Sequence, residues 1–310
     1  MILEHTITHF EDGTELLAVL KRTLSLSATT VKRLKRENGI AVDGRPVFTN
    51  YTVRQGERLT ITLSEPPSDI VPETGAIDIL YEDEGLLAVN KPPGLLVHPS
   101  RARNTGTLSN FVLEYLIRQG NGPYCHTVNR LDRDTSGAVL FAKNAHIKNL
   151  TAQALRSPEG KKEYVALLCG IPERSRGTID MPIRRFRERD MRRIVAQDGD
   201  RAVTGYTVTA SGCYNGQTVS LVRFHLITGR THQIRVHCHW MGTPVLGDTL
   251  YFTPESASVS RKLGAGQQML HSEVIELIHP ITSLLLRVKA PITRPLMISA
   301  AKEIWHSGEF

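Results

Sequence analysis

The sequence predicts an α+β protein, a mixed and largely antiparallel sheet with helices packed around it, preceded by a small basic α/β module. Three observations carry that prediction. Residues 218–226 alternate, with Val222, Phe224 and Leu226 to one side and Arg223 and His225 to the other, the period of a half-buried strand. Further strand-like runs at 77–81, 86–91, 138–142 and 161–167 are interleaved with helical stretches at 108–119 and 145–156. A polar stretch holding Pro66, Pro67 and Pro72 sets the first 63 residues apart as a module.

Within that module, Leu16, Leu17, Val19 and Leu20 suggest a first helix. A second covers residues 29–37, with Val31 and Leu34 on one face and Lys32, Arg33, Lys35 and Arg36 on the other. Asn38-Gly39 ends it in the manner of a C-cap. A hairpin follows from 40–42 through Asp43-Gly44 to Val47, and a last strand occupies 59–63 after the turn at Gly56-Glu57. Residues 1–63 are thus read as one domain, 64–75 as a stiff extended linker, and 76–310 as the larger domain.

The chain of 310 residues is 40% hydrophobic and 22% charged, the profile of an ordinary globular protein. Its formal net charge of +7, with clustered arginines, favours a polyanionic partner. Cys125, Cys169, Cys213 and Cys238 are scattered without a CxxC pair, against a zinc ribbon or a disulfide framework. The first residues lack a secretory pattern and no apolar run is long enough to span a bilayer, so a cytoplasmic protein is expected.

The chemistry concentrates in Asn129-Arg130-Leu131-Asp132-Arg133-Asp134-Thr135-Ser136-Gly137. A carboxylate between guanidinium groups favours its charged form, which suits a nucleophile or a general base. Charge pattern alone also allows a solvated loop before a strand. A second stretch, Gly229-Arg230-Thr231-His232-Gln233-Ile234-Arg235-Val236-His237, reads as a helix capped near Thr231 and stopped by Gly242 and Pro244. Its histidines have no acidic or cysteine partner within helical reach, so no metal is expected there. Arg184, Arg185, Arg187, Arg189, Arg192 and Arg193 crowd one polar stretch, either a solvated loop or an arm that touches phosphates.

The first of these strings resembles the catalytic motif of the RluA family of RNA pseudouridine synthases, Arg-Leu-Asp-x-x-Thr-Ser-Gly, with Asn129 where that family often has His. The second is similar to the family's other signature. Lys91-Pro92-Pro93-Gly94 with Val97-His98, the spacing of Lys162, Tyr164 and Ala166, Gly247-Asp248 with Tyr251, and Leu270-His271-Ser272 extend the resemblance over about 77–289. Residues 14–63 resemble the alpha-L RNA-binding module.

The resemblance implies a pseudouridine synthase-like fold with a central cleft, and an isomerase acting on uridines of structured RNA, ribosomal RNA in preference to transfer RNA. It makes Asp132 the catalytic carboxylate, as nucleophile at C1′ or base at C2′. Arg235 would be its bidentate partner. Tyr164 would stack on the base and help remove the C5 proton. Ile234 would wall the pocket, Arg130 would fill the place vacated by the extruded base, and Lys162 and Arg230 would bind substrate. Asp134 is expected to be structural, bonded to nearby backbone amides; His98 is expected to be structural or to face RNA. The reaction moves no electrons to or from an outside group, so no cofactor is implied, and no obligate protein partner. A non-catalytic RNA-binding or ribosome-assembly protein on the same fold is the alternative. A hydrolase of glycosidic bonds would want a second, separately placed carboxylate.

Overall fold

A computed structural model describes residues 2–64, 66–100 and 103–306, the last two by backbone alone. The first part is a four-stranded antiparallel sheet. Its strands are β1 (Ile2–Thr6), β2 (Ile40–Val42), β3 (Arg45–Pro46) and β4 (Arg58–Thr62), in the order β1-β4-β2-β3. Helix α1 (Leu16–Ala18) runs on as a π-turn, Val19–Thr23, and α2 (Ala28–Glu37) follows. Ser27 caps α2 by accepting the Thr30 amide, and Asn38 ends it at φ 50°. Val31 and Leu34 join Leu16, Leu20, Leu59 and Ile61 in a core of their own, while Lys32, Lys35 and Arg36 stay exposed. β1 was not legible in the sequence. It is an edge strand with only Leu3 and His5 half-buried on its inner face, so no apolar period marks it.

The Pro-rich stretch is not free along its whole length. From Ser68 onward the chain is tied to the larger body. The Ser68 amide donates to the Pro123 carbonyl at 2.9 Å and the Asn110 side-chain amide to Val71 O at 2.7 Å. The Glu73 carboxylate accepts the Gly106 amide at 2.5 Å. Asn110 is free to do this because its oxygen closes the capping box with Thr107 and its NH2 group is left over.

The large sheet contains β5 (Ile79–Glu82), β6 (Leu86–Lys91), β7 (His126–Thr127), β8 (Ser136–Ala142), β9 (Lys161–Cys169) and β10 (Arg176–Asp180). A separate hairpin pairs β11 (Ile183–Arg185) with β12 (Arg193–Val195) in the arginine-rich stretch, which the sequence alone reads as a solvated loop or an arm that touches phosphates. The sheet resumes with β13 (Val203–Tyr214), β14 (Gln217–Leu226), β15 (Leu270–Ile278) and β16 (Leu285–Lys289). Its order is β10-β13-β14-β9-β15-β8-β6-β5, with β7 on β8 and β16 on β15. Helices α3 (Leu108–Arg118), α4 (Ala145–Ala154), α5 (Gln233–Trp240), α6 (Pro254–Lys262) and α7 (Pro295–His306) flank it. The alternation read at 218–226 holds: Val222, Phe224 and Leu226 are buried. β6 and β8 are covered on both faces, which is why their sequences run apolar without alternation.

Among the described residues, every pairing in this sheet is antiparallel except one. β8 meets β15 in parallel through His271 with Ser136 and Ser272 with Gly137. At Gly137, φ is 112° and a Cβ would fall 2.1 Å from the Ser272 carbonyl oxygen, so only glycine admits this approach. The loop that carries Asp132 enters the sheet at this junction, in its middle.

Candidate active site

The loop between β7 and β8 is held through its backbone. The Lys91 side chain, 0% exposed, donates from Nζ to Pro92 O (2.8 Å), Leu95 O (2.9 Å) and Arg133 O (2.8 Å). Arg294 Nη1 donates to Asp134 O and Gln268 O, and Gln268 Nε2 donates to Thr135 Oγ1 at 2.5 Å. Leu131 is buried in the main core, and the Thr135 amide turns back onto Asp132 O. With three carbonyls and a hydroxyl thus fixed, the Asp132 side chain has few orientations open to it.

Asp132 is the open end of a buried chain of charges. Arg235 Nη1 donates to Asp132 Oδ2 at 2.8 Å. Its other edge donates twice to Asp248, from Nε to Oδ2 at 2.6 Å and from Nη2 to Oδ1 at 2.9 Å. Side-chain exposure falls along the chain, 27% for Asp132, 7% for Arg235 and 1% for Asp248. Burial disfavours the Arg235 charge, but the two carboxylates outweigh it and raise its pKa. The Tyr251 ring lies beneath the guanidinium, 5.0 Å from Cζ, and Asp248 also accepts the Leu250 and Tyr251 amides. A guanidinium pinned on three sides can aim one N–H at a half-exposed carboxylate without moving.

Tyr164 and Ile234 lie in the same core cluster as Leu131, behind the Asp132 loop. Burial pushes the Tyr164 hydroxyl up to about 12 and the Asp132 charge adds to this, against a hydrogen bond with Ser272. Tyr164 therefore stays a phenol at neutral pH, a donor and a stacking face; as a base it would need the substrate to change its state. Lys162 extends from the same strand face as Tyr164 and is half-buried, with its ammonium lowered by burial and by Arg156. Arg130 is exposed, and burial first, then the nearby Arg130 and Lys148 charges, lower the His98 imidazole pKa.

An RNA pseudouridylate synthase family model matches residues 85–240, which include Asp132, Tyr164 and Arg235. The RNA pseudouridine synthase YhcT of Bacillus subtilis (strain 168) is 39% identical over 292 residues, covering 93% of each chain. The chain belongs to the RNA pseudouridine synthases. Such enzymes are isomerases that convert uridine in RNA to pseudouridine. Ribosomal large subunit pseudouridine synthase D of Xanthomonas campestris pv. campestris is 33% identical over 84% of this chain and 81% of its own. Human RNA pseudouridylate synthase domain containing 1 superposes with a TM-score of 0.57 at 28% identity, covering 71% of this chain and 86% of that one.

Several details of this synthase differ from what the sequence suggested. The bidentate partner of Arg235 is Asp248, and Asp132 receives one hydrogen bond, because Asp248 is the deeper carboxylate and takes the fork side-on. Asp134 pairs with its neighbour Arg133 at 3.0 Å instead of with backbone amides. Asn129 faces inward, bridging Ala138 O and the Leu140 amide of β8. Helix α5 is capped at His232, one residue past Thr231, by a backbone in the left-handed region at φ 60° and without a side-chain hydrogen bond. The Gln233 side chain takes the Arg230 amide and Thr228 Oγ1 instead. His237 spends its ring nitrogens on Thr204 Oγ1 and Met181 O.

Arg230 turns away from Asp132, donating from Nε to Arg201 O at 3.1 Å. It lines an open groove of about 320 Å³ with Arg184, Arg185, Arg193, Gly229 and Thr231. The groove joins the site through Arg193, whose amide donates to the Tyr251 hydroxyl at 2.7 Å. Among the described residues, no helix is long and apolar enough to cross a membrane.

Asp248 and Lys91 carry functions the sequence reading did not give them. Asp248 follows Arg235 by 13 positions, beyond the end of α5, and no periodicity links the two. Lys91 had a signal, a charged residue closing a strand that opens with four apolar residues, but its three acceptors are set by the fold.

Proposed function

We propose that Asp132 is the catalytic carboxylate of this synthase and that its substrate is a uridine in folded ribosomal RNA. The N1–C1′ bond of the uridine breaks, the uracil turns, and C5 bonds to C1′; the C5 proton leaves and N1 regains one, so the product is an isomer. Asp132 serves as nucleophile at C1′ or as base at C2′. The observation that carries this reading is the gradient along Asp248, Arg235 and Asp132, in which the outermost carboxylate alone is open to a ligand. The name of the Xanthomonas relative favours ribosomal over transfer RNA.

Tyr164 would stack on the uracil and supply an O–H, with Lys162 and the arginine groove taking phosphates. Arg130 would occupy the gap left by the extruded base. We read residues 2–63 as an RNA-binding module of alpha-L type, supported by its separate core and by the exposed Lys32, Lys35 and Arg36 of α2. The larger domain then begins with the strapped segment at Ser68. The acting site would be in the cytoplasm, where ribosomal RNA is.

Tritium release from C5-labelled uridine in RNA from a strain lacking this protein tests the reaction. Wild type should release label and Asp132→Ala should release none while unfolding at the same temperature. Release by both proteins removes Asp132 from its role.

A further inference from the structure

His232 belongs to the second signature, yet the reading above gives it no task. Its backbone sits in the left-handed region, φ 60° and ψ 18°, which a non-glycine residue occupies at a cost of about 1 kcal/mol or more. The imidazole lies between two groups of the site. Nδ1 is 2.8 Å from the Tyr251 hydroxyl, and Nε2 is 3.9 Å from Asp132 Oδ1. Asp132 Oδ2 is already covered by Arg235, so His232 faces the other carboxylate oxygen.

Which nitrogen carries the proton follows from the hydrogen bonds behind the ring. The Tyr251 oxygen accepts the Arg193 backbone N–H at 2.7 Å. Its own hydroxyl proton is then directed to His232 Nδ1, which leaves the imidazole proton on Nε2, toward Asp132. Burial lowers the His232 pKa and keeps the ring neutral; Asp132 and Asp248 oppose this, and Arg235 and Arg193 reinforce it. The 3.9 Å separation is too long for a direct hydrogen bond and suits one bridging water, or a small swing of the carboxylate when substrate arrives.

We infer that His232 is a positioning residue, a neutral N–H donor whose tautomer is fixed by Tyr251 and the Arg193 amide and which orients the free oxygen of Asp132 toward the ribose. The inference rests on Asp132 being the reacting carboxylate. Arg235 supplies a charged anchor on one oxygen. His232 offers the other a weaker, uncharged contact that a reacting lone pair can leave. The arrangement also connects the arginine groove to the site, because Arg193 lines the groove and its backbone N–H holds the Tyr251 hydroxyl.

Two measurements test it. Long-range ¹H–¹⁵N spectra of the imidazoles in the whole protein, assigned with His232→Gln, should show the Nε2–H tautomer at neutral pH. Kinetics should show kcat reduced about tenfold or more in Tyr251→Phe and in His232→Leu, with KM within about twofold. His232→Gln, which keeps an uncharged N–H donor, should recover most of the loss. An Nδ1–H tautomer or an imidazolium at neutral pH overturns the inference whatever the activity. So does an unchanged kcat in Tyr251→Phe and His232→Leu. A wild type with the Nε2–H tautomer that releases no tritium from any RNA points instead to failure of the Asp132 reading, and takes this role with it.

Discussion

Arg235 gives two hydrogen bonds to Asp248 and one to Asp132, so the carboxylate farthest from solvent governs how the guanidinium faces the one that is open. Asp248→Asn keeps the shape but loses the charge and one acceptor of the pair. Because Arg235 is nearly buried, breaking the pair should cost about 3 kcal/mol of stability. The kcat should fall by about ten- to a hundredfold with little change in KM, since the substrate does not touch Asp248. Urea unfolding and steady-state kinetics check the two effects separately. A variant as active as wild type would show that Asp132 needs no such support.

Lys91 connects stability to pH. Burial lowers its ammonium from 10.5 to about 7, against the pull of Asp134 and Asp132. A folded value below the unfolded one means that the folded protein sheds this proton first. The cost of burying the charge is complete below about pH 7 and is relieved as pH rises toward about 10. Lys91→Met removes the titration and leaves three carbonyls without their donor, an expected loss of about 3 kcal/mol or more. Wild type should therefore gain on the variant between about pH 7 and about pH 10. A constant difference across that range would mean that Pro92, Leu95 and Arg133 keep the ammonium charged, since only –NH3+ has three protons to give them.

The groove arginines should report through salt. Arg184 and Arg185 line the groove and are far from fully buried. If each meets a phosphate, replacing both with Ala should weaken RNA binding and reduce the slope of log affinity against log salt by about 2. The kcat at saturating RNA should stay near wild type. An unchanged slope assigns the hairpin to structure only.

Arg130 should matter where a base has to leave a stack. Extruding a base from folded RNA costs a few kcal/mol, and an arginine that fills the vacancy repays part of it. Arg130→Ala should thus be slower by about tenfold or more on a structured substrate and nearly unaffected on a short unstructured one. Equal rates on both substrates would remove this role from Arg130.

Much of this protein was open to reading before its fold was known. The alternation at 218–226, the basic face of α2 and the strand before Lys91 follow from side-chain period, which is local. Asp132, Tyr164 and Arg235 could be singled out because each stands in a short motif, and the fold brings Asp132 and Arg235 within 2.8 Å.

The sequence by itself determined which residues are the candidates for the chemistry and most of the strands and helices, β1 and the β11–β12 hairpin excepted. Tertiary structure alone decided their partners: Asp248 behind Arg235, Lys91 beneath the Asp132 loop, Tyr251 behind His232, and Arg230 turned into the groove. It also decided the parallel pairing of β8 with β15, which Gly137 permits. The physical reason is range. Period and capping act over a few residues, whereas the hydrogen bonds that aim a carboxylate join positions as far apart as Asp132 and Arg235, 103 residues along the chain.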